Sequence, residues 1–504
     1  MLAAALVLAG CGGSDGSADP PATAAPGSDD GPLKAFPSAY GGGAEVTGAR
    51  ADDNAVLVII DTLDRDAPLT YDAAADVYSG GIRAAFTDEL DGRGRYIVSN
   101  VSGVIDGGLP NTVDGSELTF GSWIHFDGID NVTFFGQSAP RGGLTLHRDF
   151  LRVVRSENYI VRYLTVRPGL IQGTPIGDDR RSTPIKIGAE GVIVDHCSIS
   201  WGGEKGLIAG MWRENESLKN TTVQRSLVAD SATLGFSVNG GGNAEDWAGG
   251  GNVTWHYNLL AGKHRTPNLG GFDGLGVIQN NVVFSSGTKL ATVYHGTPQV
   301  NLLGNYYRIF TRSGTTLNQW RDLGDGAPRI YAAGNYYEDD TGVLLSGAPG
   351  EDNRILWQYL GAGGPLPDRV FADTPNEPSV PGPMAHPAPL LDAAEALDAV
   401  LDDVGHNAYL DDDGRPARFQ DSYDLDAIAD ARAGSLSFRR YSTDWVLPSI
   451  PEETRPASYD ADRDGMSDAW ERRIFGDLSE GYRGDHDGDG YTNIEEYMNQ
   501  VDAL

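Results

Sequence analysis

The chain has 504 residues, 40% of them hydrophobic, with 67 glycines. Its 38 basic against 71 acidic side chains give a formal charge of −33, which excludes a nucleic-acid binder, since phosphate contacts need Lys and Arg. The length exceeds a usual single core unless the fold grows by repetition, and the glycine content suits an all-β chain with tight turns.

Met1–Gly10 is an apolar run too short to span a bilayer. Leu8-Ala9-Gly10-Cys11 has the form of a bacterial lipobox. Residues 1–10 read as a lipoprotein signal peptide, with Cys11 as the acylated residue that anchors the chain to the membrane. The expected location is that of a secreted lipoprotein of the outer membrane or cell surface. An ordinary secretory signal would leave Cys11 without that role. Residues 11–32 are too polar to bury a core and read as a disordered tether. The only other cysteine is Cys197, so no internal disulfide is expected.

A folded body follows over residues 33–445. It begins with a Gly-rich turn and the strand Val56–Ile60. An amphipathic stretch, Ile82–Leu90, predicts a helix that closes the open end of a strand stack. From about Trp123 to Tyr337 short strands rich in Val, Ile and Tyr recur. Each ends in a polar corner, at Thr165, Ser198, Ser226, Asn258, Asn281, Asn305 and Asn335, 23 to 33 residues apart. That period marks a solenoid. One coil per period, with side chains stacked corner on corner, predicts a parallel β-helix in which Asn bonds to the Asn above and below. A β-sandwich would space its strands more closely. Residues 338–441 turn to Pro-rich loop with a helix over Leu390–Leu401, expected to pack outside the solenoid or to cap its far end.

Residues 446–504 form a linker and twin acidic loops. Asp460, Asp462, Asp464, Asp468 and Glu471 stand at loop positions 1, 3, 5, 9 and 12, with Gly465 at position 6. Asp485, Asp487, Asp489, Asn493 and Glu496 repeat the spacing around Gly490. Calcium takes six to eight oxygens, and this spacing wraps them around one ion, the carbonyls of Met466 and Tyr491 supplying position 7. Helices should follow at Ala469–Phe475 and Ile494–Asn499. The expected role of this EF-hand-like module is structural.

Several pieces, in order, resemble bacterial pectate lyases of the parallel β-helix type. They are Gly136-Gln137-Ser138-Ala139-Pro140, Val166-Arg167-Pro168-Gly169, Val194-Asp195-His196-Cys197-Ser198-Ile199-Ser200-Trp201, His256-Tyr257-Asn258-Leu259 and Arg265-Thr266-Pro267. Asp464-Gly465-Met466-Ser467-Asp468-Ala469-Trp470-Glu471 resembles the tail often joined to such lyases. The resemblance implies an all-β, right-handed parallel β-helix with an N-terminal capping helix. It also implies β-elimination on an acidic polysaccharide such as pectin or polygalacturonate, by a monomer. Elimination needs a base at C5, positive charge on the uronate carboxylate and an acid or water for the leaving oxygen.

By the resemblance, Arg265 takes the base role, although a free guanidinium stays protonated. The family holds calcium between acidic side chains and substrate. This chain departs there, with Thr183-Pro184 for an Asp-Ala pair, Glu204-Lys205 for Asp-Glu, and Asn268 for the last Arg of R-x-P-R. Lys205 could pair with the substrate carboxylate in place of the ion, leaving Asp195 and Glu204 as candidate active-site ligands. Asp195 reads equally as a partner of its own turn. His264, Arg181 and Lys186 are candidate substrate contacts, since nine Lys/Arg face four Asp/Glu between Arg141 and Lys186. A binder without activity, and a hydrolase with two carboxylates about 5–10 Å apart, are the rival readings.

Overall fold

The computed structural model describes residues 32–107, 124–169, 183–203, 205–210, 218–231, 234–239, 250–262, 268–270, 274–285, 290–294, 296–310, 316–324, 326–360, 363–378, 384–435 and 445–504. Cys11, Arg181, Glu204, His264 and Arg265, with the leader and nearly all of the tether, lie outside them.

The chain coils so that each turn lays one strand on each of three faces. The first face holds Leu218–Gln224, Gly250–His256, Leu275–Gln279, Gln299–Leu303 and Arg329–Ala333, paired in parallel. A short corner leads to the second face, which runs from Leu144–His147 through Leu164–Arg167, Ser198–Ser200, Leu227–Ala229, Leu259–Gly262 and Val282–Ser285 to Tyr306–Ile309 and Tyr336–Asp339. The third face holds Lys205–Gly210, Leu234–Asn239, Asn268–Gly270, Thr292–Tyr294, Asn318–Arg321 and Trp357–Tyr359. Two long strands, Leu151–Arg162 and Ile185–Asp195, bend from the third face into the first. This is the parallel β-helix that the period predicts. Its bore is packed with Val, Ile and Leu because alternate side chains of every strand turn inward.

The corner between the first two faces is built the same way on successive coils. Tyr163, His196, Arg225, Tyr257, Asn280, Gly304 and Gly334 all take positive φ, between 45° and 66°. For the bulky members this conformation is costly. Stacking offsets part of the cost: the Tyr163 and His196 rings lie 4.8 Å apart and 6° from parallel. The next residue points inward and forms a ladder. Asn258, Asn281 and Asn305 each donate their side-chain amide to the Oδ1 of the next rung at 3.0 Å, and Asn335 to Asn353 at 2.9 Å.

The ladder corrects the expected register at two places. Thr165 pairs with Ser198, and Ser198 with Leu227 rather than Ser226. The rung before Ser226 is therefore Cys197, while Thr165 and Ser198 lie one residue further along. Their side chains bond outward, Thr165 Oγ1 to His406 Nδ1 at 3.1 Å and Ser198 Oγ to Asp424. Asn353 closes the ladder as a rung that the period does not reveal.

The capping helix is present as Ile82–Thr87 and buries Ile82, Ala85 and Phe86 in the bore. It stops short of Leu90 because Asp88 turns extended. The Pro-rich stretch covers the outside of the second face. Helices Ala393–Asp402 and Ser422–Ala433 bring Val400, Leu401, Tyr423 and Ile428 onto Leu259, Val282, Phe284 and Tyr306. Buried Arg167 ties the second helix down, donating to Asp421 Oδ2 at 2.8 Å and Asp424 Oδ1 at 2.7 Å. The acidic loops also share a core with the solenoid: Met466, Trp470, Ile494, Tyr497 and Met498 pack on Leu57, Ile59, Tyr96 and Val98. Among the described residues no helix is long and apolar enough to cross a membrane.

Candidate functional site

On the third face Leu151, Val153, Ile185 and Ile187 enter the core, so by alternation Arg152 and Lys186 stand on the outer side. They are level with each other in the ladder. Lys205 opens the next strand of the same face, with its side chain 5% exposed. Lys205, the predicted stand-in for a cation, stands two residues before Leu207, which enters the core, so by the same alternation it starts on the inner side, whereas Arg152 and Lys186, a predicted substrate contact, share the outer side.

The wider basic run is largely neutralised. Arg148 pairs with Asp106, Arg155 with Asp127, Arg162 with Asp195 and Asp502, and Arg167 with Asp421 and Asp424. Arg141 lies over the Phe419 ring, 5.1 Å from its centre.

Asp195 is elsewhere, at the end of the first face and fully buried. It accepts from Arg162 Nε at 2.8 Å and Gln224 Nε2 at 2.7 Å and pairs with His196 Nδ1 at 2.9 Å. Burial alone would raise its carboxyl. The charges of His196 and Arg162, with the hydrogen bonds from His196 and Gln224, outweigh burial and hold it well below the usual carboxylate range. Both oxygens are committed to protein partners, Arg162 and Gln224 from the neighbouring coils and His196 from its own turn.

The two acidic loops repeat one bonding scheme. Asp460 accepts from the N–H of Asp464 and Gly465, and Asp485 from those of Gly488 and Gly490. Position 9 accepts from the N–H of position 2 in both, Asp468 from Ala461 at 2.7 Å and Asn493 from His486 at 3.0 Å. Each position-9 residue opens a helix, Asp468–Ile474 and Asn493–Asn499. Ligand oxygens of Asp460, Asp462 and Asp464, of Asp462, Asp468 and Glu471, and of Asp485, Asp487 and Asp489 lie within 4.8 Å of one another. Such all-oxygen sets suit a hard cation. Asp464 Oδ2 and both carboxylate oxygens of Glu471 are buried with no hydrogen-bond partner. Burial first, then mutual repulsion, pushes Asp460 up to about 7, Asp464 to about 8, and Glu471 to about 9. The donor set fits calcium. The Met466 side chain is buried in the shared core, which leaves only its carbonyl for the loop.

No protein-family profile matches the chain. In sequence the chain is pectate lyase-like along nearly all of its length. It is 25% identical over 492 residues to the probable pectate lyase C of Aspergillus oryzae, covering 93% of this chain and 94% of that one. The corresponding protein of Aspergillus terreus is 24% identical over the same shares, and that of Emericella nidulans 29% identical over 62% of each chain. Among solved structures, the cedar pollen allergen jun a 1 aligns at TM-score 0.46 and 12% identity, over 73% of this chain and 92% of that one. A pectate lyase from Acidovorax avenae subsp citrulli aligns at TM-score 0.43 and 11% identity, over 76% and 98%.

Proposed function

We propose that the chain is a polysaccharide lyase that cleaves a pectin-like polyuronide by β-elimination. The observation that carries this reading is the end-to-end sequence likeness to proteins named pectate lyase. Arg152 and Lys186 on the outer side of the third face support it, as cations in a chain of net charge −33. In the reaction the base removes the C5 proton, the C–H electrons form the C4–C5 double bond, and the O4 bond breaks with its electron pair, taking up a proton. Negative charge builds on the uronate carboxylate, where an ammonium is worth most in a site that excludes water. Lys205 has that role, Arg265 is the base by its motif, and His264 and Arg181 contact the sugar chain. The acidic loops hold calcium as a structural ion through Asp460, Asp462, Asp464, Asp468 and Glu471 and their counterparts. Cys11 carries a lipid anchor that places the lyase at the cell surface.

Incubation with polygalacturonate, methylated pectin and alginate, followed by ultraviolet absorbance of the unsaturated uronate, tests the reading. Absorbance that grows with one of them is expected. New reducing ends without absorbance would mean hydrolysis, and retention on a pectin column without cleavage would mean a binder.

A further inference from the structure

Residues 33–50 lie as a strap across the outside of the first face. The strap holds no strand and ends in one short helical turn, Gly48–Ala51. Side chains of successive coils accept its backbone N–H groups. Tyr40 donates to Gln224 Oε1 at 3.2 Å, Gly42 to Thr254 Oγ1 at 3.0 Å, Gly43 to Thr222 Oγ1 at 2.9 Å, Gly48 to Asn158 Oδ1 at 2.9 Å and Ala49 to Thr133 Oγ1 at 2.9 Å. Phe36, Ala39 and Val46 bury against Ile160 and Ile193. A segment held by side chains rather than by a ladder opens at lower cost than the strands beneath it.

Both ends of the strap meet the second acidic loop. Arg50 Nη1 donates to Glu495 Oε2 at 2.8 Å, the two side chains 11% and 2% exposed, and its guanidinium stands 4.9 Å from the centre of the Tyr491 ring. Its Nη2 donates to the Lys34 carbonyl at 2.9 Å, which ties the start of the strap to the same joint. Leu33 lies against Gly490, where a Cβ would come within 3.0 Å of its Cδ2. In the loop, Gly490 is position 6, Tyr491 supplies the position-7 carbonyl, and Glu495 precedes Glu496 at position 12. The residues that hold Arg50 are therefore ligands of the loop or their direct neighbours. The first loop reaches instead to the strand Thr70–Asp72, through Arg463 and Asp72. The two loops also differ in strength. Asp464, Asp468 and Glu471 are buried, whereas Asp485 and Asp487 are exposed. Asn493 stands at position 9 where the first loop has Asp468, one ligand charge fewer, which lowers affinity for the ion. Without an ion, the carboxylates of Asp485, Asp487, Asp489 and Glu496 repel one another.

The geometry points to a calcium-operated latch: the loaded second loop holds Arg50, and through it the strap, over the Lys34–Ala35 peptide bond, and the unloaded loop lets that bond open to proteolysis. This rests on the calcium reading of the loops and not on the lyase reading. In the docked strap the Ala35 N–H donates to the Ala44 carbonyl at 2.6 Å and Ala35 is 2% exposed, so a protease reaches the bond only when the strap opens. Trypsin on the full chain, with mass spectrometry of the fragments, reads the latch at a temperature where near-ultraviolet circular dichroism shows the fold intact in calcium and in EDTA. Cutting after Lys34 should be about tenfold faster in EDTA than in calcium, the scale of one charge-assisted hydrogen bond lost, with the buried Arg95 and Arg162 uncut in both. Arg50→Gln should cut fast in calcium and EDTA alike while calorimetry shows it still binding calcium as the parent does. Calcium protection that survives in Arg50→Gln overturns the latch. Equal parent rates in calcium and EDTA, with calorimetry showing calcium bound and part of it lost in Glu496→Gln, overturn the latch and leave the calcium reading standing. If calorimetry finds no calcium bound to the parent, the calcium reading falls and the latch with it.

Discussion

Cys197 occupies the ladder rung before Ser226: its N–H donates to Ser226 Oγ at 3.1 Å, and its thiol faces the Val161 carbonyl at 3.9 Å. Asn258 makes the equivalent contact to the Val223 carbonyl two coils later, at 2.9 Å. The thiol is a rung, and burial pushes it up to about 12. In a Cys11→Ser chain, the native protein should not react with a disulfide reagent until urea unfolds it, because only a thiolate attacks. Cys197→Ser should cost less than about 1.5 kcal/mol, since a hydroxyl already serves at Ser226. Fast labelling of the folded chain would remove Cys197 from the ladder.

The register correction predicts unequal costs at two polar corner residues. Asn281→Leu removes the acceptor of the Asn258 N–H and side-chain amide and the donor to the Trp255 carbonyl and Asn305. Leaving these groups buried and unpaired should cost about 2–5 kcal/mol. Thr165→Val, which loses one bond to His406, should cost about 1 kcal/mol. Urea denaturation measures both, and equal costs would return Thr165 to the ladder.

These residues also show what could be read without coordinates. The strand period, the capping helix at Ile82 and the twin loops were legible because each rests on local spacing. The ladder slipped by one at Ser198 because Cys197 does not look like a rung, and the outward Thr165 and Ser198 do. The helix Ser422–Ala433 was hidden because its buried face includes Asp424, whose partner Arg167 is 257 residues away. Asp195 could be placed only once Arg162, His196 and Gln224 were seen to converge on it, from the strands on either side and the adjoining corner.

The Asp195–His196 pair gives stability a pH dependence with a worked sign. Burial lowers His196, but the Asp195 and Asp403 carboxylates, 2.9 and 3.4 Å from its ring nitrogens, raise it above its ordinary 6.5. Its contribution is complete below pH 6.5 and fades as pH rises through the raised value. Asp195 is depressed, so its contribution is complete above 3.8 and fades only below that. The parent should therefore lose stability on the alkaline side of 6.5 more than His196→Gln does. Asp195→Asn should cost about 3–5 kcal/mol, because Arg162 is left buried without one of its two carboxylates. Parallel pH profiles for parent and His196→Gln would refute the pairing.

Calcium should stabilise the whole chain rather than a separate tail. The loops pack on the outer side of Val56–Ile60 and Arg95–Ser99, and Arg50–Glu495, Arg463–Asp72 and Arg483–Asp76 cross the same interface. A ligand bound only to the folded state at a hundred times its Kd adds about 2.7 kcal/mol. EDTA should lower a single unfolding transition, and calcium should restore it. Glu471→Gln, in the more buried loop, should weaken that response more than Glu496→Gln. An early separate transition for the tail would contradict the shared core.

Lys205 sets the last prediction. If its ammonium replaces an active-site cation, the lyase rate should be indifferent to EDTA at temperatures where the chain stays folded. Lys205→Ala should lose about 10²–10³ in kcat, the scale of one charge-stabilising group. Lys205→Asp puts an acidic residue next to Glu204 in the sequence and should be inactive in EDTA but regain part of the rate with added calcium, since carboxylates recruit the ion. Lys205 is almost fully buried, so each variant is first matched to the parent in its unfolding midpoint. A parent rate that vanishes in EDTA while the fold persists would return the cation's role to calcium and leave Lys205 as a packing residue of its strand.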